Sequence, residues 1–380
     1  MSDLDPLGGL PQSPESGDAE SPSREVRAAE TRRGPPAPTT VALLALLGLM
    51  FLVEVWLGGG LDPDPVALFR LGSLSAAAVR DGDWWRLGSY AFLHAGPLHL
   101  LFNAYALWIL MRPIESLFGP AAALGLFAAT AIAGGGASMA AATLRHNPWQ
   151  QAVGASGGIF GLFGAHVALY WRLRHRLAPE ARRAAARTLI FNLLINLALA
   201  LGAQAANFPL DNAAHVGGFL AGILLGLVAP SHVLPARPWS RPALVLLVGA
   251  SFALAGMEGA AIARVANPHG RTLRVQGAEA RVPWHLVPGP RGNARSADGV
   301  HVVLGRVQRG NEGGHEVTLG GRNWSKIVTA NPADNPTVVL TAADGSAYLA
   351  VEAWCYDADC TDAKRDALAE QVATEARGSR

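Results

Sequence analysis

Between Val41 and about Val265 the chain runs through apolar segments long enough to cross a bilayer core as helices, and nothing else in it restricts the fold so strongly. A spanning helix needs about 20 mostly apolar residues, because a rise of about 1.5 Å per residue must cover roughly 30 Å of hydrocarbon. Seven candidate spans lie at roughly 41–58, 97–117, 120–142, 154–171, 187–203, 212–229 and 242–264. Hydrocarbon offers no water to loose backbone groups, so segments of this kind are expected to be helical. The first span follows about forty polar residues and no small-residue cleavage site comes after it. It therefore reads as a membrane helix and not as a signal peptide. Mean hydropathy is positive over the whole chain.

Arginine placement orients the spans, because cytoplasmic loops retain an excess of positive charge. Arg27, Arg32 and Arg33 precede the first span. Arg172, Arg174, Arg176, Arg182, Arg183 and Arg187 crowd the fourth-to-fifth connection, and Arg237 and Arg241 lie between the sixth and seventh. These segments fall on one side. The opposite loops are poorer, with Arg145 in one and no Lys or Arg from Gly202 to Ala213. The N-terminus is therefore expected in the cytoplasm and the tail outside, with a bacterial inner membrane as the setting. A net charge of only +2 gives nucleic-acid binding no electrostatic support.

Three regions follow. Residues 1–40, rich in Pro, Ser, Glu and Arg, are expected to be a disordered cytoplasmic N-terminus. Residues 41–265 form the membrane domain. Residues 266–380 read as a small α+β domain outside the membrane. Its short strand-like runs "VHVVLGRVQ", "GHEVTLG", "PTVVLTAA" and "AYLAVEAW" are bounded by turn residues, and "TDAKRDALAEQVATEA" reads as a closing amphipathic helix. The two cysteines, Cys355 and Cys360, both lie here, which fits an oxidising compartment, either as a disulfide or as free thiols.

Polar side chains inside membrane helices are costly and mark candidate functional sites. His94, His99 and Asn103 sit at the start of the second span, Ser156 begins the fourth and His215 begins the sixth. The arginine-derived topology puts all five at a similar depth on one side. Each has a bland reading. A lone intramembrane serine bonds back to a helix carbonyl, His94 serves as a structural interface residue, His99 and Asn103 make a helix–helix contact, and His215 is a satisfied core histidine. A three-histidine zinc site from His94, His99 and His215 has poor ligand spacing and leaves Ser156 unexplained.

The chemistry that unites these residue types is acyl transfer. A serine hydroxyl is a weak nucleophile at neutral pH and needs a base within hydrogen-bond reach, usually histidine. The tetrahedral oxyanion then needs donors already in place. The backbone N–H of Ser156 at a helix N-terminus, the Asn103 amide and a His99 N–H are candidates. Ser156 and His215 lie on different helices, so those helices must approach closely. Gly157 and Gly161 on one, and Gly218, Gly222 and Gly226 on the other, recur every fourth residue, as small residues do where membrane helices touch.

Over residues 80–230 these motifs resemble the rhomboid family of intramembrane serine proteases. "GASG" around Gly154 and Ser156 is similar to the nucleophile motif, and "AHVGGFLAG" to the base motif carrying His215. "HAGPLHLLFN" resembles the second-span motif, which implies that His99 and Asn103 line an oxyanion hole. "WWR" resembles the first-loop Trp-Arg pair, here Trp85 and Arg86. The resemblance implies a six-helix rhomboid-like core, all-α and polytopic, to which this chain adds a seventh helix and the α+β domain. It implies a Ser156–His215 dyad acting on transmembrane protein substrates within the lipid bilayer, with no metal or cofactor. Glu115 falls where relatives often carry a structural glutamate. Two departures stand out. Phe160 replaces a tyrosine one turn after the serine, and the C-terminal domain lies outside the common core. Asp211, one turn before His215, is expected at the surface; Glu54 is unassigned, with reach to the headgroups as its simplest reading. A non-catalytic rhomboid-like protein that binds membrane helices as a chaperone or escort is the alternative. A transporter would be expected to show internal repeats or broken helices, and neither is seen.

Overall fold

The structure is a computed structural model that describes residues 37–205, 210–232, 238–268, 270–275, 278–288, 293–297, 299–310, 313–329, 336–344, 346–355 and 360–378. The membrane region opens with α1 (Pro38–Gly58). A connecting segment carries three short helices, α2 (Pro65–Leu71), α3 (Ala76–Arg80) and α4 (Arg86–Ser89). Long helices α5 (Pro97–Phe118), α6 (Pro120–Leu144), α7 (Ser156–Leu173), α8 (Pro179–Ala205), α9 (Asn212–Val228) and α10 (Ser240–Ala266) follow. Among the described residues, α1, α6 and α10 are long and apolar enough to cross a membrane, whereas α9, equally apolar, is shorter. Most of segment 1–40, expected to be disordered, lies outside the described residues, but α1 already begins at Pro38. Proline suits the first helical position because its missing N–H has no partner there anyway. Glu115 of α5 then takes the Thr39 and Thr40 N–H groups at 2.9 Å and the Thr40 hydroxyl at 2.7 Å. A carboxylate thus meets the positive end of α1 and ties it to α5.

Helix α7 is the hub, packing against α9, α6 and α5. The face it turns to α9 is Gly157, Gly161, Gly164, Ala165 and Ala168, and α9 answers with Ala214, Gly218, Gly222 and Gly226. The spacing of four puts each set on one stripe, and the backbones meet along it. A Cβ added at Gly218 would strike the Gly157 carbonyl oxygen, and one at Gly222 the Gly161 carbonyl oxygen. Gly161 is closed from its other side by the Thr130 side chain of α6. Leu47, Leu107, Met111, Ile114, Leu126, Phe127 and Leu162 complete the apolar core between the helices.

Glu54 corrects one expectation. It is fully buried and its Oε2 accepts the His94 backbone N–H at 3.0 Å, so it does not reach the headgroups. It shares α1's packed face with Leu43, Leu47, Met50 and Phe51.

The C-terminal region is rich in sheet. Strands β1 (Arg271–Val275), β2 (Ala278–Val282), β3 (Leu286–Pro288), β4 (Asn293–Ser296), β5 (Val300–Val307), β6 (His315–Leu319), β7 (Arg322–Thr329), β8 (Thr337–Asp344), β9 (Ala347–Cys355) and β10 (Ala376–Gly378) form two antiparallel sheets. Their orders are β1-β2-β10 and β3-β4-β5-β9-β8-β7-β6. Helix α11 (Asp362–Glu375) buries Leu368, Ala369, Val372 and Ala373 against the core around Trp324. The four strand-like runs and the closing helix read from the sequence correspond to β5, β6, β8, β9 and α11. The remaining strands are short or interrupted by Arg, Asn and Gly. Cys355 and Cys360 are joined in a disulfide with Cα atoms 5.5 Å apart.

This domain rests on the α2–α4 segment. Trp284 stacks on Phe69 at 6.2 Å between centroids, and Val287 packs with Ala77 and Ala78. Gln151 Nε2 donates to the Ala297 carbonyl at 3.4 Å. Arg271 reaches both Asp81 and Asp83, the latter at 2.5 Å.

Candidate active site

Ser156 is the first residue of α7 and His215 lies in the first turn of α9. Because the glycine stripes bring these helix starts together, Ser156 Oγ and His215 Nε2 lie 2.9 Å apart. That is within ordinary hydrogen-bond range, and it is the geometry in which an imidazole can take the hydroxyl proton. The Phe160 ring lies one turn along α7 and stacks on the His215 ring at 4.2 Å and 9° between planes. Ring orientation is thus held by an aromatic face, without a tyrosine hydroxyl. Asp211 caps α9 by accepting the Ala214 N–H at 3.0 Å, and its bond is to backbone, not to the imidazole.

His99 approaches from α5. Its Nδ1 accepts the Ala95 N–H at 3.4 Å, which puts the ring proton on Nε2. Gly154 is held at φ +125°, and a Cβ there would fall 2.9 Å from His99 Cε1 and Nε2. Only glycine combines that backbone angle with so close a ring. The Nε2–H therefore lies against the strand-like entry to Ser156. Asn103 is one turn further along α5 and buried, and its Nδ2 donates to the His99 carbonyl at 3.0 Å. An amide nitrogen has two hydrogens, so one donor remains after that bond. His94 is fully buried, its ring set edge-on to that of His99 with centroids 5.2 Å apart. His94, His99 and His215 do not form a ligand set, and among the described residues no three His, Cys, Asp or Glu side chains converge as one.

The entry to Ser156 is braced. Leu74 and Ala152 exchange backbone hydrogen bonds at 2.9 Å, and Gly154 N–H donates to the Tyr90 carbonyl at 2.9 Å. The Tyr90 hydroxyl donates to Ala131 of α6 at 2.9 Å, beside Gly157. Tyr90 and Thr130 are structural members of the site that sequence reasoning missed, since neither stands in a polar or glycine pattern. Trp85 and Arg86 lie in the same connecting segment and are buried. Arg86 Nε meets Asp83 at 2.9 Å, and its Nη1 donates to the Phe69 and Ser73 carbonyls at 2.8 Å. Its guanidinium lies 3.8 Å over the Phe69 ring and 4.6 Å over the Trp85 ring. Burial pulls Arg86 down to about 10, opposed by the Asp83 carboxylate. Burial alone would raise Asp83, yet Arg86 and Arg271 together hold its carboxyl below the usual range.

Apolar bundle and serine–histidine pair define an integral membrane protein with a hydrolase-like site at helix ends. Residues 81–232 match the family model for the Rhomboid domain. The chain is 32% identical over 199 residues to "Rhomboid protease GluP" of Bacillus subtilis (strain 168), covering 52% of this chain and 36% of that protein. It is 34% identical over 168 residues to "RHOMBOID-like protein 5" of Arabidopsis thaliana, covering 44% and 51%. It is 30% identical over 193 residues to "Putative rhomboid protease YdcA" of B. subtilis (strain 168), covering 50% and 85%. The chain belongs to the rhomboid family. It spans about a third to a half of the length of the first two of these relatives.

Proposed function

We propose that this protein is an intramembrane serine endopeptidase that cleaves transmembrane segments of other membrane proteins with a Ser156–His215 dyad. The observation that carries the reading is the 2.9 Å contact between Ser156 Oγ and His215 Nε2 at paired helix starts. Ser156 Oγ attacks the scissile carbonyl while His215 Nε2 takes its proton. The oxyanion is met by the His99 Nε2–H, the spare Asn103 amide hydrogen and the N–H of Ser156 at the positive end of α7. Collapse breaks the C–N bond, and the leaving amine takes the proton from His215. Water, deprotonated by His215, then attacks the acyl carbon, the C–Oγ bond breaks, Ser156 Oγ takes the proton back from His215, and the acid is released. Gly154 seats the His99 ring, while Phe160 and the stripes of Gly157, Gly161, Gly218 and Gly222 hold the dyad in register. His94, Trp85 and Arg86 are supporting residues.

In this proposal α1 and α5–α10 make seven spans, residues 41–265 form the membrane domain, and residues 266–380 form an extracytoplasmic domain. The N-terminus is cytoplasmic, and the membrane is a bacterial inner membrane. The arginine asymmetry supports that orientation. The Cys355–Cys360 disulfide supports an oxidising side for the tail. The test is cleavage of a model transmembrane substrate in detergent or liposomes. Ser156→Ala and His215→Ala each abolish it, and the double variant is scarcely worse than either alone, as befits residues acting as a unit. Cleavage that persists in Ser156→Ala overturns the reading in favour of another nucleophile, and absence of cleavage by folded wild type overturns it in favour of the non-catalytic escort.

A further inference from the structure

A cavity of about 260 Å³ lies where α2, the α3–α4 turn, the end of α10 and β1 meet. Arg70, Arg86, Arg264 and Arg271 line it together with Asp81 and Asp83, so it holds two more cations than anions. The excess has a definite location. Arg86 is committed to Asp83 and two carbonyls. Arg271 is committed to both aspartates and to the Trp284 carbonyl at 3.0 Å. Both carboxylates are thereby matched. Arg70 makes one long hydrogen bond, 3.3 Å from Nη2 to the Val265 carbonyl, and its buried Nε has no partner. Arg264 has its nearest carboxylate, Asp83, at 3.8 Å.

Local structure explains only part of this. A cation in the last turn of α10 complements the helix dipole, which accounts for Arg264. Arg70 also stands in the last turn of its helix, the seven-residue α2, but it lies 5.9 Å from the Trp284 ring centroid with its buried Nε unpartnered and one long hydrogen bond, so most of its fork is unused. Two guanidiniums with spare donors beside one cavity repel each other unless an anion lies between them. The guanidinium fork matches tetrahedral oxyanions in a bidentate way. The cavity is also at the end of a helix long enough to span, the depth at which lipid phosphates lie.

We propose that this cavity binds a phosphate group through Arg70 and Arg264, supplied either by a phospholipid headgroup or by free phosphate. An occupant there joins α10 and α2 through one anion, beside Arg271 at the start of β1. It would lie beside the Asp83–Arg86 pair that braces the connecting segment and outside the Ser156–His215 contact.

The test uses the full-length protein, delipidated in a phosphate-free detergent, and calorimetric titration with three probes. These are dihexanoyl phosphatidylglycerol, inorganic phosphate and dihexanoylglycerol, which has the chains but no phosphate. The expected result is saturable binding of at least one phosphate probe and none of dihexanoylglycerol. Arg70→Gln and Arg264→Gln each weaken it roughly tenfold or more, the loss of one charge-assisted hydrogen bond. Arg274→Gln, at an exposed arginine away from the cavity, leaves it unchanged. Binding of the lipid alone identifies the headgroup as the source, binding of inorganic phosphate alone a soluble anion, and binding of both the shared group. Absence of saturable binding by either phosphate probe, or binding unchanged in Arg264→Gln, overturns the proposal. Arg264 is partly exposed, so that variant decides the matter even if Arg70→Gln does not fold.

Discussion

Gly222→Ala is the sharpest test of the helix contact on which the site depends. The added Cβ would run into the Gly161 carbonyl oxygen and lie 2.6 Å from its carbon and 2.8 Å from Cα. Ordinary carbon–carbon contact is about 3.5–4.0 Å, so α7 and α9 must part by about 1 Å. The obstacle is backbone, which cannot swing aside as a side chain does. Overpacking typically costs about 1–3 kcal/mol, and this position belongs in the upper part of that range. The same helix pair fixes the 2.9 Å Ser156–His215 contact, and parting it by about 1 Å carries that contact beyond hydrogen-bond range. A misplacement of about 1 Å can cost a hundredfold in rate, so kcat should fall by about that factor. The assay is thermal unfolding in detergent beside cleavage of a model transmembrane substrate. Gly249→Ala is the control, since a Cβ there meets nothing within 4 Å and alanine favours a helix interior by about 1 kcal/mol. Gly222→Ala with the stability and rate of Gly249→Ala would refute the close-approach argument.

Three further outcomes are expected. Asn103→Ala lowers kcat with little change in KM, because its spare donor matters chiefly in the transition state. One such donor is worth about 2.7–4 kcal/mol elsewhere, and sharing with His99 and the Ser156 N–H reduces it here, so an unchanged kcat removes Asn103 from the site. Asp83→Asn leaves the buried Arg86 uncompensated and destabilises the protein by about 3 kcal/mol or more. Because the folded Asp83 carboxyl titrates below the ordinary 3.8, its contribution is complete above that value and is lost as pH falls through the lower, folded one. The Tm gap between wild type and Asp83→Asn should therefore be constant from about pH 5 to 7 and close only below the ordinary value. A gap that closes above pH 5 contradicts the ion-pair account. Finally, a membrane-impermeant thiol reagent labels Cys355 and Cys360 in intact cells only after reduction. Thiols reached only after lysis would reverse both the orientation and the bridge.

The membrane bundle was legible because hydrocarbon leaves a chain few choices. Apolar run length located the helices, and glycine and alanine at every fourth residue marked the stripes by which α7 and α9 touch. The Ser156, His215, His99 and Asn103 positions stood out as polar groups at helix ends, where burial is costly without a purpose. What escaped was long-range and one-sided. Glu54 looks from sequence like a group near a headgroup layer, and only the fold supplies the His94 N–H, forty residues on, that its Oε2 accepts. Arg271 gives no local hint of Asp81 and Asp83, about 190 residues away. The strands β1–β4 carry Arg, Asn and Pro within short runs, so alternation is too weak to distinguish them from loop. The docking of the C-terminal domain on the α2–α4 segment rests on such contacts, and so does the arginine cavity.

The central claim is that Ser156 is a nucleophile activated by His215. It is tested most directly by incubating purified protein with a fluorophosphonate probe and mapping the adduct by mass spectrometry. The account predicts one adduct per chain, on Ser156, absent from Ser156→Ala and at least a hundredfold slower to form in folded His215→Ala. An unlabelled wild type, or labelling at Ser156 that proceeds at the same rate without His215, would contradict it.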